Sequence, residues 1–296
     1  MSEITGFVTG IYPKSEELRR AIGRWQRGAG GKEELDRIIG NETVNFENLT
    51  ENSIIHTDPM FNWFDIFRPL MTVISGFSIG PLRRFEETNT FYREPIIEKA
   101  PLLDIEKLNG TEAEESLPLP LYRSGLSSAG ILPGPSTFYS FSKNSGNVQK
   151  EKFSESLLGA YAKLLKASGR KDVVIMERVS PERYALEHLL KKLSGFRVFL
   201  YTTGSIRKES FEGLQGKFHS IIANPEFAHI AIEHSELPGF NLLDAHNTRM
   251  EKADQIMSQF RKIHSGNGII APNDYLDFLP FGIANRKIEL LKEVSA

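Results

Sequence analysis

Short apolar runs, each followed by a stretch with helical spacing, recur along the whole chain, and this alternation limits the fold more than any other feature. The runs are Ile4–Gly10, Ser53–Thr57, Thr88–Ile97, Ile131–Leu132, Asp172–Glu177, Phe196–Tyr201, Phe227–Glu233, Phe240–Asp244 and Gly268–Ala271. Strands separated by helix-length crossovers pair in parallel. About eight such units in a chain of 296 residues predict an α/β fold, a closed (β/α)8 TIM barrel forming a single domain over residues 1–296. No G-x-G-x-x-G or Walker-type loop occurs, which counts against a doubly wound nucleotide-binding sheet.

Between the runs, Ser15 is a suitable N-cap, followed by Glu16 and Glu17 and then by Arg19, Arg20 and Arg24. Acid first and base later complements the helix dipole. Further helices are expected from Lys32, over 66–79, over 149–168, from Ser180-Pro181 to Leu193, from Asn247 or Thr248 to Ile263, and over 284–294. Residues 98–128, acidic at Glu112–Glu115 and Pro-rich near Pro118 and Pro120, read as an irregular surface excursion.

Charge is nearly balanced, 36 basic against 38 acidic residues, so no basic excess points to nucleic acid or to an anionic membrane. The absence of cysteine excludes disulfides, thiolate nucleophiles and Cys-containing zinc sites. The first residues, Met1-Ser-Glu-Ile-Thr-Gly6, lack a secretory pattern, and no apolar run has membrane-spanning length. A cytoplasmic protein is expected.

In a parallel barrel, polar residues just past the strand ends converge on one mouth. Those positions gather Asp58, Asp65, Asn89, Glu177, Thr202, Glu233, Asp244, His246, Asn273 and Asp274. Gly134-Pro-Ser-Thr137, directly after Ile131-Leu132, has the layout of one such loop, although an ordinary tight turn accounts for it too. Asp244-Ala-His246 places a carboxylate and an imidazole on one face of an extended segment, an arrangement suited to a proton donor. A loop histidine satisfied by hydrogen bonds is the alternative. His229 and His234, five apart in a strand pattern, point to opposite faces. Trp63-Phe64-Asp65 combines rings with an acid and suits either a planar ligand or core packing. Arg19-Arg20 and Arg83-Arg84 are local basic spots.

Several of these segments resemble the cobalamin-independent methionine synthase family, which is built of two barrel halves. Phe61-Asn-Trp-Phe-Asp65 resembles its F-x-W-Y-D, Thr88-Asn-Thr-Phe-Tyr-Arg-Glu-Pro95 its T-N-Y-H-Y-x-x-P, and Gly134-Pro-Ser-Thr137 its G-P-x-T. Leu18-Arg-Arg-Ala21 with Trp25 resembles the helix that helps hold the folate polyglutamate tail. Glu16 replaces that helix's leading Arg, and Arg19 keeps the basic character.

The resemblance implies substrate binding by Arg19, Trp63, Asp65, Asn89, Ser136, Thr137 and Glu177, with Asp65 matched to an amine-binding acid. It implies a catalytic proton donor in His246 with Asp244. The family's zinc ligands fall on Thr202 and Gly204, on Glu233 in Ile230-Ala-Ile-Glu-His-Ser235, and on Asp274. One carboxylate with a threonine, a glycine and an aspartate lacks the soft or imidazole ligands that zinc needs, so no zinc and no other cofactor is expected.

The implied role is that of the zinc-less N-terminal half standing alone. It would serve methionine biosynthesis as the folate-binding or docking partner of a separate zinc-bearing homocysteine methyltransferase barrel. Methyltetrahydrofolate, or an amino acid, is the expected small ligand. The alternatives are a self-sufficient, zinc-independent enzyme of the methionine synthase/uroporphyrinogen decarboxylase-like barrel superfamily, and a non-catalytic scaffold.

Overall fold

The computed structural model describes residues 3–50, 54–85, 90–104, 106, 129–214 and 216–295. Eight strands run parallel in one curled sheet: β1 (Ile4–Val8), β2 (Ile54–His56), β5 (Gly130–Pro133), β7 (Asp172–Glu177), β8 (Arg197–Thr202), β9 (Ser220–Ala223), β10 (Gly239–Leu243) and β11 (Gly268–Pro272). Their order is β2-β1-β11-β10-β9-β8-β7-β5. A parallel bridge between Thr57 and Ala129 closes the circle, with the Ala129 N–H donating to the His56 carbonyl at 2.9 Å. The expected TIM-barrel architecture is thus present.

The helices are α1 (Glu16–Gln26), α2 (Lys32–Thr50), α3 (Arg68–Met71), α4 (Pro135–Ser140), α5 (Lys150–Ser168), α6 (Arg183–Lys192), α7 (Ala228–His234), α8 (Ala253–Ile263) and α9 (Phe281–Ser295). Ser15 caps α1 by accepting the Leu18 N–H at 3.1 Å. Helix α5 buries Phe153, Leu157, Leu158, Tyr161, Leu164 and Leu165, a single stripe at helical period, and Gly169 ends it in the left-handed region. The barrel interior is aromatic: Phe7 on β1 meets Phe199 and Tyr201 on β8, ring centroids 6.1 and 5.8 Å apart. These strands are not neighbours, so the contacts cross the barrel. No helix among the described residues is long and apolar enough to span a membrane.

Three segments depart from what the sequence predicts. The expected helix over 66–79 is only the four-residue α3; from Ile74 the chain extends into β3 (Ile74–Arg84), paired antiparallel with β4 (Phe91–Leu103). Gly76, in the left-handed region at φ 99°, suits this bulged strand better than a helix interior. The run around Phe91–Ile97 is therefore a strand of an arm inserted into the barrel, joined by the short β6 (Lys143–Asn144), and not a stave. Phe227–Glu233 is not a strand. Ala228, Ile230 and Ala231 are buried on one side of α7 while Ile232 and Glu233 are exposed, a helical division. The missing stave is β9, whose Ser220-Ile-Ile-Ala223 is too short to show a period of its own.

Aromatic rings fix the arm to α4. Phe77 stacks on Phe138 at 4.9 Å, Phe67 meets Phe138 at 5.1 Å, and Phe85 meets Tyr92 at 4.5 Å and Phe141 at 5.3 Å. This packing brings Phe85, at the outer end of β3, to the barrel mouth. The excursion predicted over 98–128 falls largely outside the described residues; its first part, through Leu103, is β4.

Candidate functional site at the barrel mouth

Gly134 turns the chain from β5 into α4, and the first N–H groups of that helix meet a carboxylate. Glu177, at the end of β7, accepts the Ser136 N–H at 3.1 Å and the Thr137 N–H at 2.7 Å. A Cβ on Gly134 would lie 2.2 Å from the Glu177 carboxyl carbon, so the contact requires glycine. The Thr137 hydroxyl accepts the Arg178 N–H at 2.7 Å, and the Ser136 hydroxyl accepts that of Glu182 at 3.3 Å. Burial pushes the Glu177 carboxyl up to about 7, against the hydrogen bonds from residues 136 and 137. Ser136, Thr137 and Glu177 thus build the mouth by binding one another.

The next residue points across it. The Arg178 guanidinium donates to both oxygens of Asp274, just past β11, at 2.8 and 2.6 Å. Its faces are covered by Phe85 and Tyr275, whose ring centroids lie 5.0 and 5.1 Å away. Burial works against the Asp274 charge, but Arg178 and His246 outweigh it and hold the carboxyl below its usual range. The His246 Nε2 lies 3.2 Å from the same carboxylate. That hydrogen bond, partly opposed by burial, raises the imidazole pKa above its ordinary value. Asp244 acts on the backbone instead. Its Oδ1 accepts the His246 N–H at 2.8 Å and shapes the turn. Asp274 is the carboxylate on the imidazole.

The positions matched to zinc ligands do not come together. Thr202 is buried, and its hydroxyl donates to the Ile222 carbonyl at 3.1 Å. A Cβ on Gly204 would lie 2.3 Å from the Arg178 carbonyl oxygen, so no side chain fits there. Glu233 sits on α7 beside His234, whose carbonyl accepts the N–H of Phe218 at the amino end of β9. That is the end of the barrel opposite the mouth. Asp274 is engaged by Arg178. No group of three His, Asp or Glu among the described residues is placed to hold a metal. This donor set does not fit zinc.

Asp65 is also committed to structure. Its carboxylate accepts the N–H groups of Phe67 at 3.0 Å, Arg68 at 2.7 Å and Arg93 at 3.2 Å, which ties the loop after β2 to the arm. Burial raises its pKa in spite of these bonds. Trp63 is buried, with the Arg68 guanidinium 5.7 Å from its ring. Asn89 lies outside the described residues.

Beside the mouth, a cavity of about 500 Å³ opens between the loops after β1, β2 and β11 and the arm. Lys14, Arg19, Arg68 and Arg93 line it together with Phe64, Phe91, Asp65 and Asp277. Lys14 is buried, donates to the Trp63 carbonyl at 2.9 Å, and stands 4.5 Å from the centre of the Phe64 ring. Burial lowers its amine to about 8, partly offset by Asp277. Burial, with Asp274 adding, raises the Asp277 carboxyl to about 6. Arg19 and Asp65, both expected to bind substrate, share this cavity, whereas no sequence signal marks Lys14, Arg93 or Asp277. Nor does one mark Arg178 as a mouth residue, although it directly follows Glu177 at the end of β7.

Solved structures share this architecture. The B12-independent methionine synthase of Shewanella sp. W3-18-1, in complex with selenomethionine, superposes with a TM-score of 0.66 at 13% identity, over 99% of this chain and 97% of that one. In fold, this is a methionine synthase-like barrel. A Listeria monocytogenes protein described as a putative vitamin B12-independent methionine synthase superposes with a TM-score of 0.67, also at 13% identity, over 99% and 98% of the two chains. No protein-family model and no curated protein matches the sequence. The methionine synthase-like barrel is therefore established by shape, with its mouth bridged by Arg178 and Asp274.

Proposed function

We propose that this chain is a zinc-independent, methionine synthase-like barrel of one-carbon metabolism that binds a folate-type ligand and acts beside a separate zinc-bearing barrel. The Arg178–Asp274 ion pair carries the reading: a guanidinium, not a metal, neutralises the carboxylate at the mouth. The adjoining cavity supports the ligand class. Lys14, Arg19 and Arg93 suit the carboxylates of a glutamate tail, and Phe64 and Phe91 suit a planar ring. Calorimetry with methyltetrahydrofolate tests ligand binding. Mixing with a zinc-bearing methionine synthase barrel of the same organism tests partnership, read as complex formation or a gain in homocysteine methylation. Absence of both ligand binding and a gain with the partner would sink the proposal.

A second reading rests on His246. A part-exposed imidazole held by a buried carboxylate is suited to acid/base work, which favours a self-sufficient enzyme. Turnover of a pterin or thiol substrate without any partner, abolished in His246→Ala, would select it.

A further inference from the structure

We propose that Lys14 is a covalent binding site, whose side-chain amine forms an imine with an aromatic aldehyde bearing a carboxylate. Lys14 lines the cavity of about 500 Å³ beside the mouth and keeps 9% of its surface exposed. Phe64, whose ring centre lies 4.5 Å from the Lys14 Nζ, lines the same cavity, as does Asp277. The amine therefore stands at the cavity wall. The proposal does not rest on folate binding, which forms no bond to the amine.

A lysine is a nucleophile only when neutral, and the site favours that state. Burial lowers the amine to about 8, with Asp277 opposing. Among the described residues no carboxylate lies within ion-pair distance of it; its hydrogen-bond partner is the Trp63 carbonyl, at 2.9 Å. The neutral amine thus keeps its second N–H and its lone pair for reaction. The charged groups around it are Asp277 after β11, Asp65 and Arg68 after β2, Arg93 on β4 and Arg19 on α1. Asp65 is taken up by three backbone N–H groups, and Arg68 pairs with it at 3.4 Å. Arg19 and Arg93 are left without a carboxylate partner among the described residues. Two such guanidinium groups call for an anion on the ligand, and Phe64 and Phe91 for a flat ring.

The Nζ lone pair adds to the aldehyde carbon, and the carbonyl oxygen takes up a proton. The nitrogen then forms the C=N bond as the hydroxyl departs. Both amine hydrogens and the carbonyl oxygen leave as one water, so nothing is oxidised or reduced. Asp277, whose carboxyl burial raises to about 6, suits the task of taking a proton from the nitrogen and returning it to the departing hydroxyl.

The full chain is incubated with 4-formylbenzoate or with benzaldehyde and treated with borohydride, and the modified lysines are located by peptide mass spectrometry. Lys14 is expected to be labelled saturably, at least about tenfold ahead of any other lysine, and with 4-formylbenzoate roughly tenfold or more tighter than benzaldehyde, the scale of one charge-assisted hydrogen bond. Labelling should rise as pH passes through 8 and then level off, below the range in which an ordinary lysine amine titrates. Lys14→Met abolishes the saturable labelling. Arg19→Met combined with Arg93→Met, both at exposed positions, removes the preference for the charged aldehyde and carries the test should Lys14→Met fail to fold. Labelling spread over other lysines with no excess at Lys14, saturable labelling retained in Lys14→Met, equal affinities for the two aldehydes, or an unchanged preference in the double variant would overturn the proposal.

Discussion

Arg178 holds Asp274 from the opposite side of the barrel mouth through two hydrogen bonds of 2.8 and 2.6 Å, with both side chains almost wholly buried. Strand ends on β7 and β11 are thereby locked together by one bidentate pair. Removing a single partner of such a pair leaves a charge buried without compensation. Arg178→Met is therefore expected to lower stability by about 3–5 kcal/mol, measured as the loss of unfolding free energy in urea. A change under about 1 kcal/mol would mean that water reaches the carboxylate.

The same carboxylate sets the charge of His246. Asp274→Asn is expected to bring the imidazole pKa down, and Asp244→Asn to move it less, because the Asp244 oxygen is spent on the backbone N–H. NMR titration of the imidazole protons decides between them. A raised folded-state pKa favours the native state below the unfolded value of about 6.5, and this contribution is lost as pH rises through the folded value. Wild type should lose that increment as pH rises from about 6.5 through the raised imidazole value, and Asp274→Asn should not.

Glu177 imposes a second pH dependence, in a lower window. Its carboxyl is raised from 4.5 to about 7 by burial. The unfolded chain ionises first, so native stability is greatest below pH 4.5 and declines until pH 7, by at most about 3 kcal/mol from this group. Glu177→Gln should flatten the stability profile across that window. It should also lower stability at acid pH, since its amide N–H groups face the N–H groups of Ser136 and Thr137.

How much of this is legible in the sequence depends on whether the signal is local. The staves β1, β7, β8, β10 and β11 stand out as apolar runs because both faces of a barrel strand are buried. Ser220–Ala223 has the same environment but only three apolar residues, and the alternating residues of α7 beside it imitate a strand better than the strand does. Gly134-Pro-Ser-Thr137 and Asp65 stand out in the sequence as unusual, yet their reason is tertiary: they meet groups 28 to 46 residues away in sequence. The Arg178–Asp274 pair spans 96 residues and leaves no local trace. Spacing alone makes partners of Asp244 and His246, which the backbone bond between them explains only in part.

Introducing a zinc ligand at the mouth should fail for a steric reason. Gly204 packs so closely on the Arg178 carbonyl that a Cβ would come within 2.3 Å of the oxygen. Gly204→Cys is expected to lower the melting temperature without conferring stoichiometric zinc, as measured by calorimetry and metal analysis of the purified variant. The triple change Thr202→His, Gly204→Cys and Asp274→Cys should fare no better, because Arg178 then loses its carboxylate inside the mouth. Zinc retained with unchanged stability would contradict this packing.

Lys14 offers the most direct handle on the cavity beside the mouth. Its amine is buried against Phe64, and burial lowers it to about 8, so it is mainly a cation at pH 7 and mainly neutral at pH 9. Binding of methyltetrahydrofolate should accordingly weaken as pH rises through 8, and the step should vanish in Lys14→Met. A charge-assisted hydrogen bond of about 1.5–3 kcal/mol corresponds to roughly ten- to hundredfold in Kd. Lys14→Met should also fold normally, since it removes a buried amine while keeping a stem of similar length over the Phe64 ring. Calorimetric titrations at pH 7 and pH 9 on both proteins give the four affinities. An equal pH step in Lys14→Met would assign it to another group, such as the ligand itself.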